Sequence, residues 1–256
     1  MLRKLIKHEF RATARTMVPL FLILLAVTVC AFVSVRFLTA GFASIISGSF
    51  MFLFVLAIIA TLVMSFVLMI QRFHSSFLTD EGYLMFTLPV SVHSLVWSKL
   101  IVSTVWFIAT GVAVVLATFL STARAIRIDD WQGMFSAFGS AYGLNGAGYV
   151  AECLLAMLLG AFCQCLMLYA AMALGHSFSG SKGLWSVLFA VGFLIVAQML
   201  GVTTLFSWFN FNDLQHMSAA AQVHASMGTL IAAEVVYGAV FYFVTTLSLK
   251  KSLNLE

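Results

Sequence analysis

Apolar positions in this chain come in long blocks rather than in alternation, and polar positions are confined to the joints between blocks. A helix needs about 20 apolar residues to cross the hydrocarbon core of a bilayer. Six blocks meet that length: Val18 to Val35, Phe50 to Ile70, Leu95 to Leu120, Gly148 to Leu174, Leu184 to Phe206 and Thr229 to Leu249. The pattern predicts an all-α, polytopic integral membrane protein with six transmembrane helices. The blocks fill residues 1–256 and leave no room for a soluble unit, so the chain reads as a single transmembrane domain.

A different pattern precedes the first block. Arg3, Lys7, Arg11 and Arg15 recur every four positions and share one helical stripe, while Leu2, Leu5, Ile6 and Phe10 take the opposite arc. That division predicts an amphipathic helix over residues 1–16 lying in the headgroup plane, cations towards anionic lipid. The apolar run from Met17 to Val35 is longer than the core of a secretory signal, and Arg36 follows without a small-x-small cleavage site. It reads as a retained first span.

Composition agrees with the pattern. The chain is 62% hydrophobic and only 9% charged, against roughly a quarter charged in a soluble domain. Ten of its thirteen cations fall on the side of the membrane that holds the N-terminus, and three (Arg36, Arg124 and Arg127) fall on the other. The positive-inside rule then places both termini, including Lys250 and Lys251, in the cytoplasm. No aromatic-interleaved basic surface accompanies these clusters, so no nucleic-acid partner is expected. Cys30, Cys153, Cys163 and Cys165 all lie within apolar runs, and the last two point apart on a helix, so neither a disulfide framework nor a metal pair is implied.

Two connections on the outer side are long. Residues 121–147 hold Arg124, Arg127, Asp129, Asp130 and a glycine-rich stretch. Residues 207–228, SWFNFNDLQHMSAAAQVHASMG, place Trp208, Phe209 and Phe211 where aromatic rings suit the membrane boundary, and predict short interfacial helices.

Enzymatic chemistry is hard to assemble from these residues. SFSGSKG lacks the glycine spacing and the hydroxyl residue after lysine that a phosphate-binding loop needs. His8 and Glu9 have no second histidine to complete a zinc motif, and GHSFSG has Ser179 where a nucleophile elbow requires glycine. Asp213, His216 and His224 share an outer connection, but the two histidines lie eight apart without a third clear ligand, so no metal is expected. Glu152 and Glu234 are the acids nearest the membrane core, each near the outer end of its predicted span, where a carboxylate can reach the interface.

The inner connection is more specific. In QRFHSSFLTDEGYLMFTLPVSVHSLVWSK (71–99), Phe73 and Phe77 are four apart among Arg72, Ser75, Ser76, Thr79 and Asp80. The spacing predicts a short amphipathic helix stopped by Gly82, a second break at Pro89, and a helix capped by Ser91 that becomes the third span. LTDEGYLMFTLPVS, followed by LVWSKL, resembles the segment between the second and third spans of bacterial permease subunits of the type 2 ABC exporter family. LIKHEFRATARTMVPLF at residues 5–21 resembles the N-terminus of that family, and six spans with both ends inside match its layout.

The resemblance implies a transport subunit in the bacterial cytoplasmic membrane, paired with a second permease, identical or related, and with two separate ATP-binding subunits. ATP and Mg would be bound by those partners, with no cofactor on this chain. The segment after the second span would be a coupling helix seated on the ATPase, with Arg72, Phe73, Phe77, Thr79, Asp80 and Glu81 at the contact. The resemblance further implies a translocation path lined by the second and fifth spans. Its candidates are Thr61, Met64, Ser65 and Met69, with Ser186, Phe189, Phe193, Gln198, Thr203 and Thr204. The alternatives are a membrane-embedded enzyme with catalysis in the outer connections, and a passive channel.

Overall fold

The computed structural model describes residues 2–37, 42–77, 91–122, 133, 136–137, 140, 146–178, 180–210 and 218–251, with backbone alone at 2, 42, 146–147, 202–210, 219 and 250–251. It contains six long helices: α1 (Leu2–Phe37), α2 (Phe42–Phe77), α3 (Val92–Thr122), α4 (Gly146–Gly175), α5 (Lys182–Asn210) and α6 (Ala219–Lys251). All six are long and apolar enough to cross a membrane. Among the described residues the chain is all-helical, and its six long apolar helices are those of a multi-pass membrane protein.

Each helix overruns its predicted block. At about 1.5 Å per residue, the 36 residues of α1 extend about 54 Å, well beyond a hydrocarbon core of about 30 Å. The basic segment 2–16 and the first span form one uninterrupted helix, in place of a separate interfacial helix joined to a span. Pro19 lies inside it without ending it. In the same way α2 runs unbroken to Phe77, so Arg72, Phe73 and Phe77 belong to the end of the second span rather than to a separate short helix. Gly82, Pro89 and the rest of 78–90 lie outside the described residues. α3 starts where the sequence places its cap: Ser91 Oγ accepts from the Ser94 amide at 3.3 Å. On the opposite side, α5 continues to Asn210 and α6 begins at Ala219, which absorbs most of the predicted interfacial helices of 207–228 into the spans. Residues 211–217 are outside the description.

Successive helices alternate in direction. One end of the bundle therefore gathers the start of α1, the end of α2, the start of α3, the end of α4, the start of α5 and the end of α6. α1 packs on α2 and α3, while α4 packs on α5 and α6; α3 and α4 join the two groups. The main core lies at this end: Met69, Phe73, Phe77, Leu95, Leu100, Tyr169 and Leu249 are all buried in it. A smaller cluster of Leu24, Ala31, Phe54 and Ala117 fills the other end of the first group. α5 is peripheral, with only 6% of its span buried and Leu184, Val187, Val191, Ile195 and Met199 outward. In lipid an outward leucine costs nothing, but a hydroxyl must find a protein partner. Thr28, Thr110 and Thr245 accordingly donate to the carbonyls of Leu24, Trp106 and Phe241 at 2.7, 2.9 and 2.7 Å.

Candidate functional site

One group of buried polar side chains converges where α1, α2, α3 and α4 meet at the core end of the bundle. Lys99, one turn inside the predicted third span, is 3% exposed. An unpaired ammonium there would be costly, and Glu9 of α1 meets it: Lys99 Nζ donates to Glu9 Oε1 at 2.5 Å. One turn further along α1, Thr13 Oγ1 donates to the Glu9 carbonyl at 2.8 Å and accepts from Trp106 Nε1 at 2.8 Å. Phe10 stacks on the Trp106 ring with centroids 4.8 Å apart. One helical face of α3, carrying Lys99, Ser103 and Trp106, is thus bonded to two successive turns of α1 and onward to α4. The α4 link is a 2.6 Å hydrogen bond between Ser103 and Tyr169.

α2 closes the arrangement. Phe73 and Phe77 are fully buried, with Phe73 stacked on Tyr169 at 4.1 Å and tilted against Phe77 at 5.0 Å. The Lys99 ammonium stands 5.8 Å from the Phe77 ring centre. Ser65, Met69 and Arg72 line a cavity of about 20 Å³ that also touches Glu9, Lys99 and Ser103, a space the size of one water molecule. Chemically this is a charge clamp with an aromatic floor.

The residues singled out from sequence scatter across this geometry. Arg72 reaches the clamp cavity, whereas Phe73 and Phe77 point into the core. Thr79, Asp80 and Glu81 lie outside the described residues. Among the path candidates, Thr61 and Ser65 are buried and donate to their own helix, to Ala57 and Leu62 carbonyls at 2.7 Å each. Met69 is core, and Met64 and Gln198 face outward. Ser186 is buried beside His176, and Phe189 and Phe193 belong to an aromatic row that ends on Phe241 of α6. The side chains of Thr203 and Thr204 are outside the description. Within this chain, then, Thr61, Ser65, Met69 and Ser186 are buried, while Met64 and Gln198 are exposed.

Glu9, Thr13, Lys99, Ser103, Trp106 and Tyr169 escaped the sequence reading. The available signal was Lys99 itself, a cation inside an apolar block in a chain with nine acids. Two further acids also change character. His224 Nδ1 lies 2.8 Å from Glu152 Oε2, so a histidine expected in an outer connection is tied to the start of α4. Glu234, expected near the outer end of its span, stands midway along α6, because that helix begins ten residues earlier than the block that predicted it. Asp213 and His216 lie outside the described residues.

Next to the clamp, His176 follows the last residue of α4. Its ring contacts His74 edge-on at 5.2 Å, and its Nδ1 lies 3.0 Å from the Met172 carbonyl and 3.4 Å from Ser186 Oγ. Burial pushes its pKa below the usual histidine range, and His74 and Lys182 add to that shift against the opposing Met172 carbonyl. Comparison of the chain with family models, curated proteins and solved structures finds no match in any of the three.

Proposed function

We propose that the chain is the transmembrane subunit of an ATP-driven exporter of the type 2 ABC family. It forms a path with a second permease and draws energy from two separate ATP-binding subunits. One observation carries the reading: the residues on either side of segment 78–90, which bears the LTDEGYLMFTLPV sequence, belong to the main buried core. On one side Phe73 and Phe77 are fully buried; on the other, Leu95, Val96 and Lys99 are. Close-packed protein interiors have low compressibility and transmit strain. A push on Asp80 and Glu81 would reach α1 through the Glu9–Lys99 clamp and α4 through Tyr169.

The six crossing helices and the ten cations on the N-terminal side are consistent with this layout. The experiment is co-purification with candidate ATP-binding subunits, followed by ATPase assays in lipid. Replacing Asp80 and Glu81 together by lysine is expected to abolish stimulation of the ATPase by the permease. If assembly and stimulation both survive the double replacement, the coupling role is wrong.

A further inference from the structure

Midway along α6 a carboxylate stands among apolar helices with one of its oxygens unpaired among the described residues. Glu234 is fifteen residues from Ala219 and seventeen from Lys251, more than about 20 Å from either end of the helix. Its Oε2 is enclosed and, among the described residues, has no hydrogen-bond partner. The carboxylate is seated against Gly160 of α4, where an added Cβ would come within 2.9 Å of Oε1. Intramembrane acids are retained at a cost that function has to justify.

What surrounds Glu234 specifies a ligand. It opens on a groove of about 240 Å³ shared by α3, α4 and α6, walled by Trp97, Phe162 and Tyr242. Gly238, one turn further on, has nothing within 4 Å of where its side chain would stand, which keeps the groove open. The aromatic rings are locked together: Trp97 lies 5.5 Å from Phe162 and 5.8 Å from Tyr242. Trp97 Nε1 donates to the Tyr242 oxygen at 3.1 Å, and His93 Nδ1 is 2.7 Å from the same oxygen. The polar edges of Trp97 and Tyr242 are therefore engaged with one another. The groove offers π faces and one carboxylate, both of which attract positive charge. An acyl chain would fill the space and leave the carboxylate unsatisfied. A hard metal ion would find one oxygen ligand group where it needs several.

We propose that this groove binds an organic cation with an apolar body, a quaternary ammonium drawn from the lipid phase, its charge on Glu234 and its body against Trp97. The site lies on α3, α4 and α6 and stands whether or not the chain is a transport subunit. The test is saturation binding of radiolabelled benzyltrimethylammonium to the full chain in lipid nanodiscs. Neopentylbenzene, its uncharged carbon isostere, serves as competitor. Binding is expected to saturate, and Glu234→Gln is expected to weaken it roughly tenfold or more. The second variant, Trp97→Leu, changes a partly exposed side chain and is expected to weaken it several-fold, while neopentylbenzene does not compete. Non-saturable binding, or unchanged affinity in either folded variant, overturns the proposal. So does displacement by neopentylbenzene, which would assign the groove to acyl chains.

Discussion

A charge carried into the interior of a bundle is tolerable only while its counter-charge stays in place, and Lys99 and Glu9 make that dependence measurable. With the lysine 3% and the glutamate 11% exposed at their side chains, removing one partner strands the other in an apolar site. Lys99→Met is expected to cost about 3–5 kcal/mol, whereas the double variant Lys99→Met, Glu9→Gln recovers most of that loss. Thermal unfolding of the purified single and double variants reads the coupling; additive losses would mean that the pair is not a clamp. His176 provides a second residue-scale outcome. Because its folded pKa lies below the ordinary value of about 6.5, the unfolded chain takes up a proton that the folded chain refuses. Stability is therefore present above that pH and falls as pH drops below it. A pH series of unfolding temperatures should show the decline, and His176→Gln should flatten it. Lys99 was visible in the sequence as a misplaced cation; Glu9 was not, since its partner lies 90 positions away and only helix packing brings them together.

At the scale of elements, the close approach of α4 and α5 hangs on a glycine. A Cβ on Gly175 would fall on the backbone and side chain of Ser186, so the two helices can meet only if that position is bare. Gly175→Ala is expected to cost about 2 kcal/mol or more, because backbone rather than a flexible side-chain tip must move. Gly183→Ala, with open space around it, serves as the neutral control; equal stability of the two variants would refute the close approach. Helix existence was legible throughout, because twenty apolar residues in a row have few alternatives. Helix ends were less so. The boundaries at Phe77, Asn210 and Ala219 follow from chains that keep coiling after hydropathy fades. Reading the end of α2 as a separate amphipathic helix had the right spacing, since Phe73 and Phe77 do share a face. That face turns inward, onto Tyr169, because α4 arrives there. A consequence for experiment is that Phe77→Ala would be destabilising by about 3–5 kcal/mol through lost packing. Loss of function in that variant would therefore reflect lost packing and says nothing about a partner contact.

For the molecule as a whole, the core and the cations gather at the same end of the bundle, and this fixes what a topology experiment should find. If the rule that sends Lys and Arg to the cytoplasm governs insertion, the core end faces inward and the joint between α5 and α6 faces outward. In a background lacking Cys30, Cys153, Cys163 and Cys165, single cysteines at the exposed positions His74 and Ser181 mark one end. Cysteines at Ser140 and Ser218, also exposed, mark the other. A membrane-impermeant maleimide applied to intact cells should label the second pair and leave the first untouched, and inverted vesicles should reverse the result. Labelling of Ser181→Cys and Ser218→Cys from the same side would break the alternation of α5 and α6. Labelling of the first pair in intact cells would instead invert the whole molecule. It would also put the LTDEGYLMFTLPV segment out of reach of any ATPase in the cytoplasm.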